Sequence, residues 1–162
     1  MPQPLPHEYE ASLERAGPAP AVISAGARPV VAVGPPPEFG GAADHWSPEH
    51  LLLSALNACL LATFDAAART HGLRVESYSS RAGARLAKTE AGVGFTGFWL
   101  SVRIETASGE EDAVRATLLR AKERCFVANA LRAPVQLEVT VAAVAAPRPT
   151  EDCGATSSRA PS

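Results

Sequence analysis

The sequence predicts an α+β protein, antiparallel sheets packed on two main helices, and three observations carry that prediction. The stretch from Ser47 to Gly72 is apolar around almost its whole circumference, which a long helix can be only if it is buried on nearly every face. Residues 95–105 alternate apolar and polar side chains with the period of a strand that buries one face. The remaining strand candidates come in runs broken by the helices, without the regular strand-helix alternation of a parallel sheet. With 162 residues, 46% of them apolar and 20% charged, the chain has the composition of one globular domain. We place that domain at residues 1–145 and a polar tail at 146–162.

Residues 8–33 read as a small antiparallel meander with strands at Tyr9 to Leu13, Ala21 to Ser24 and Pro29 to Val33. The Pro- and Gly-rich stretch from Gly34 to Trp46 can be neither helix nor central strand and forms a loop. It delivers the chain to Ser47, a good N-cap, followed by Pro48 at the first helical position and Glu49 at the positive end of the dipole. Arg69 and His71 complement the carbonyl end, and Gly72 ends the helix.

A strand from Arg74 to Leu86 and a turn through KTEAGVG lead into the strand Phe95 to Glu105, where Phe98, Leu100, Val102 and Ile104 share one face. Ser108 opens a second helix with Glu111 three residues later in a capping box, and Val114, Leu118, Ala121 and Cys125 form its buried stripe. Pro134 closes the helical region, and Val135, Leu137, Val139 and Val141 alternate along a last strand that runs to Val144.

A formal net charge of −2 with scattered Lys and Arg offers no electrostatic reason to bind nucleic acid. The amino terminus MPQPLPHEYEASLE lacks the basic and apolar regions of a secretory leader, so a cytoplasmic location is expected. Ser54, Asn57, Thr63 and Asp65 interrupt the long helix and no basic flank orients it, so no membrane partner is expected either. Three cysteines, Cys59, Cys125 and Cys153, suit a reducing compartment, where a disulfide is catalytic rather than structural. The four histidines do not fall at ligand spacing, so neither a metal nor another cofactor is expected.

Cys59 and Cys125 each lie on the inward stripe of a helix, accompanied by Ser54, Asn57 and Asn129. Two small core hydrophobes and a redox pair both fit that placement. A thiolate that reduces a peroxide becomes a sulfenic acid, and a second thiol rescues it as a disulfide.

SPEHLLLSALNAC, ending at Cys59, and ERCFVANAL around Cys125 together resemble the two-cysteine signature of the OsmC/Ohr family, the osmotically inducible and organic hydroperoxide resistance proteins. The likeness runs from Tyr9 to Val144 and includes the PPPEFGG loop. It implies an OsmC-like fold in an intertwined homodimer, and a peroxidase for organic hydroperoxides that is reset by a dithiol reductant. Cys59 matches the cysteine that attacks the peroxide, and Cys125 the one that resolves the sulfenic acid as a disulfide. Glu49 matches a glutamate that pairs with an arginine of the amino-terminal strands. Arg15 sits nearest the place of that arginine, with Arg28 the other candidate. The second motif has Phe126 where many peroxidase members carry proline, which sets the chain nearer the broader OsmC-like branch.

Ten residues of straight helix span about 15 Å, and ten steps of about 100° leave two side chains on different sides of the axis. Glu49 and Cys59 of one chain therefore cannot touch, and a shared site requires either a bent helix or the glutamate of a partner subunit. Trp46, Leu52, Leu56 and Phe126 are the expected apolar wall for the organic part of the peroxide. The alternative is a non-catalytic OsmC-like dimer that binds an apolar small molecule between its central helices.

Overall fold

The computed structural model describes residues 4–144. Strands β1 (Ser12–Glu14), β2 (Ala21–Ser24) and β3 (Val31–Val33) form the antiparallel meander read from the sequence, with Leu13 opposite Ile23 and Val22 opposite Ala32. Trp46 ties this small sheet to the body, its N–H donating to the Ala32 carbonyl at 3.2 Å and its carbonyl accepting from the Gly34 N–H at 3.0 Å. The loop between them holds one 3-10 turn, Pro37–Phe39.

Helix α1 (Pro48–Thr70) has the ends that its sequence requires. Ser47 Oγ accepts the His50 backbone N–H at 3.2 Å and approaches His50 Nδ1 at 2.9 Å. At the other end Gly72 takes φ +65°, and the Leu73 N–H returns to the Ala68 carbonyl at 3.0 Å, a Schellman closure that only a residue tolerating positive φ makes without strain.

One expectation for α1 changes. Only the stripe Leu56, Leu60, Phe64 and Ala68 is buried, at spacings of four that keep it on one face, while Ala55, Ala58 and Ala62 are exposed. Side chains apolar all round thus leave one side of the helix uncovered by the other described residues. By length and composition α1 could cross a membrane, but its buried stripe belongs to the protein core.

Strands β4 (Val75–Thr89) and β5 (Gly92–Ala107) form a long antiparallel hairpin. It extends beyond the predicted strands because the turn shrinks to Glu90 and Ala91: Gly92 adopts φ +110°, and Thr89 Oγ1 donates to the Gly92 carbonyl at 2.7 Å. As predicted, Phe98, Leu100, Val102 and Ile104 of β5 are buried, with Trp99, Ser101 and Arg103 exposed on the other face.

Helix α2 (Glu111–Glu123) begins later than predicted. Ser108 is not its cap, because Gly109 turns the chain at φ +91°, and Glu111 instead accepts the Gly109 N–H at 2.7 Å. The predicted stripe is kept: Val114, Leu118, Ala121 and Cys125 are all buried. Cys125, however, lies past the helix end, with φ −71° and ψ 113°, and caps the short helix α3 (Phe126–Ala130).

Strand β6 (Val135–Val144) joins β5 in parallel, with Leu137 opposite Leu100, rather than in the antiparallel sense the sequence suggested. The α2–α3 connection supplies the crossover that parallel neighbours require. The α+β class stands: the mixed sheet β4-β5-β6 lays one face on α1 and α2, and Leu60, Phe64, Leu100, Ile104, Val114 and Leu118 form the centre of the core. Burying each such side chain contributes about 1.5–3 kcal/mol. The tail from residue 146, with Cys153, lies outside the described residues.

Candidate active site

Cys59 faces an open cleft of about 850 Å³ between α1 and α2. Helix geometry decides which side chains line it. On α1 they are Cys59, Ala62, Thr63, Ala66, Ala67 and Thr70, followed by His71, the i, i+3, i+4, i+7 set of one face. On α2 they are Thr117, Arg120 and Ala121, followed by the C-cap residue Arg124, and Phe126 closes the end where α3 begins.

The two thiols meet where α1 passes the start of α3. Cys59 is half-buried and Cys125 fully buried, and both are free thiols. Burial pushes the Cys59 thiol up, but the backbone N–H of Val127, the Cys125 thiol, the Phe126 N–H and the nearby Thr63 hydroxyl, which itself donates to the Cys59 carbonyl at 2.8 Å, outweigh burial and hold it below the ordinary thiol value. The two N–H groups belong to the first turn of α3, where no carbonyl within the helix is available to them. Cys125 moves the other way: burial raises it, the Ala128 N–H offsets part of that, and the neighbouring Cys59 raises it further. The two neighbouring thiols are thus shifted in opposite directions, Cys59 down and Cys125 up.

The other residues singled out in the sequence are spread more widely. Glu49 stands in the first turn of α1 with Oε2 buried and without a hydrogen-bond partner. Arg15 is exposed just after β1, and Arg28 donates to the Ala25 carbonyl at 3.1 Å in the β2–β3 turn. Neither arginine nor Glu49 lines the cleft, and no ion pair joins them among the described residues. Of the expected apolar wall, only Phe126 reaches the cleft, with 83% of its surface exposed. Leu56 is wholly inside the core because it points at the sheet, Leu52 packs against that core, and Trp46 bridges to Val33 before the helix begins. Asn129 caps the carbonyl end of α2, its Nδ2 donating to the Glu123 carbonyl at 2.9 Å.

Thr63, Arg120, Arg124 and the α3 amides are site features the sequence reading missed. Thr63 was detectable as the residue one turn after Cys59, and the two arginines as the pair flanking the buried position Ala121. The amides carry no sequence signal.

Fold and site define an α+β protein in which Cys59 of the long helix α1 lies beside Cys125 at the start of α3. The chain belongs to the OsmC-like protein family, whose profile matches residues 41–140, more than half of its length. Among solved structures it resembles an OsmC-like protein of unknown function from Vibrio cholerae, with a TM-score of 0.75 at 18% identity over 83% of this chain and 99% of that one. An organic hydroperoxide resistance protein from Legionella pneumophila, described also as a predicted redox protein, gives 0.66 at 22% identity over 83% and 96%. One from Elizabethkingia anophelis gives 0.69 at 18% identity over 88% and 100%. Likeness at these identities shows the fold. A search of curated protein sequences gives no match.

Proposed function

We propose that this OsmC-like protein is a cytoplasmic thiol peroxidase for organic hydroperoxides. The observation that carries the proposal is the meeting of Cys59, half-buried at the wall of an open cleft, with the buried thiol of Cys125 behind it. The Cys59 thiolate attacks the distal oxygen of the hydroperoxide. The O–O bond breaks, the sulfur becomes a sulfenic acid, and the leaving alkoxide takes up a proton to depart as an alcohol. The Cys125 thiol then displaces the sulfenic oxygen as water, forming the Cys59–Cys125 disulfide, and an external dithiol returns the two electrons. Two of the structural relatives are organic hydroperoxide resistance proteins, which supports this substrate class.

The proposal includes a homodimer. The uncovered side of α1 and the unpartnered Glu49 Oε2 both favour a second copy seated there. In that arrangement Glu49 and Arg15 of one protomer serve Cys59 of its partner, which removes the 15 Å separation along a single helix.

Peroxide consumption with a dithiol donor tests the reaction. Wild-type protein treated with cumene hydroperoxide should lose two hydrogens from its intact mass and yield a Cys59–Cys125 peptide, and Cys59→Ser should abolish turnover. Sustained turnover by Cys59→Ser rejects the mechanism. Unpaired thiols after peroxide treatment, with an apolar ligand still bound by the double serine variant, support the non-catalytic alternative.

A further inference from the structure

The cleft in front of Cys59 has a charge pattern that the peroxide chemistry does not require. Its α2 wall presents Arg120 and Arg124, four residues apart and therefore on one face, with Ala121 and Thr117 between and below them. Among the described residues no aspartate or glutamate lines the cleft. Among the described residues neither guanidinium is in an ion pair or a side-chain hydrogen bond, although the nearby Arg115 donates to the Val139 carbonyl at 2.8 Å. Opposite them the α1 wall is small and apolar, Ala62, Ala66 and Ala67, ending at the sulfur. An apolar channel that begins at a nucleophilic sulfur and runs beside two unengaged guanidinium groups is shaped for an amphiphile with a negatively charged group.

We propose that Arg120 and Arg124 form an anion subsite that selects organic substrates carrying a carboxylate, holding the anionic group on α2 while the reacting oxygen lies at Cys59. Guanidinium suits this task because its planar fork matches a carboxylate and keeps its charge at every physiological pH. The proposal deepens the peroxidase assignment and rests on it for the identity of the reacting group, but the subsite itself depends only on the charge of the cleft. Both arginines are exposed, so their attraction is screened by salt. They are specificity residues, and neither takes part in breaking the O–O bond.

Two alkylating agents of nearly equal size, iodoacetate and iodoacetamide, probe the subsite without any peroxidase activity. The Cys59 alkylation rates of the full chain are followed by peptide mapping, and their ratio is normalised to that of an uncharged model thiol. At low ionic strength two unpaired positive charges should favour iodoacetate by about fivefold, and the preference should collapse at 0.5 M salt. Arg120→Gln and Arg124→Gln should each remove about half of the preference, the double variant all of it, with unchanged thermal unfolding. A normalised ratio of one in the wild type, or a ratio untouched in the double variant, overturns the subsite.

The second measurement compares a carboxylated organic hydroperoxide with its methyl ester. The double variant should raise KM for the acid several-fold relative to the ester and so bring the acid-over-ester preference to one. An equal KM for acid and ester in the wild type overturns the substrate selection. Absence of turnover with both, beside a salt-sensitive iodoacetate preference, rejects the peroxidase assignment and leaves the anion subsite standing.

Discussion

At the scale of single residues, the site turns on how a thiol acquires the donors that ionise it. Within one chain Cys59 draws them from the first turn of α3, from Cys125 and from Thr63, and Phe126 is the residue where the α3 contribution can be tested. It occupies the first position of α3, where proline is best tolerated, and Cys125 before it is already extended, as a residue preceding proline must be. Phe126→Pro should therefore leave the fold and its melting temperature unchanged while deleting one N–H that points at the Cys59 sulfur. That N–H lowers the Cys59 pKa, so its loss raises it, and the alkylation profile of Cys59 should move to higher pH. A profile that stays in place means the amide does not stabilise the thiolate.

At the scale of elements, β4 and β5 cross at one close approach. A Cβ on Gly83 would lie 2.2 Å from Cε2 and Cζ2 of Trp99, its partner across the hairpin, so the tryptophan ring lies over the glycine. Gly83→Ala should destabilise the protein by about 1–3 kcal/mol, read from thermal or denaturant unfolding. In a Trp99→Ala background the same change should cost far less, and equal costs in both backgrounds would show that the ring is not what excludes the methyl group. The hairpin also shows what the sequence could reveal. The alternation of β5 and the caps of α1 were legible because each is a local pattern, a period of two in one case and Ser-Pro-Glu in the other. The direction of β6 was not, because Val135 to Val141 would alternate in the same way in either sense once α2 covers one face. The break before Cys125 was equally hidden, since the stripe of buried residues continues through it.

At the scale of the whole molecule, the two cysteines were legible as a pair through their motifs, whereas Arg120 and Arg124 look like any solvated helix surface until the cleft places them opposite Cys59. The uncovered side of α1 has the same character. Its residues Leu51, Ala55 and Ala58 follow one another by four and three and lead to Ala62 at the edge of the cleft, one stripe along a helix whose opposite stripe is the core. Strand β1 is exposed throughout, and Leu13 and Val22 keep 62% and 37% of their surface open. Two apolar regions this poorly covered in a 16.8 kDa chain are the physical ground for the proposed dimer. Sedimentation equilibrium should give twice that mass, and Ala58→Arg, which sets a charge in the middle of the stripe without touching the core, should shift the protein toward the monomer. The same variant should lose peroxide turnover even though Cys59 and Cys125 of each chain remain together, because the proposed Glu49 and Arg15 contributions come across the interface. A monomeric wild type, or a monomeric variant with full turnover, would instead make each chain a complete catalyst.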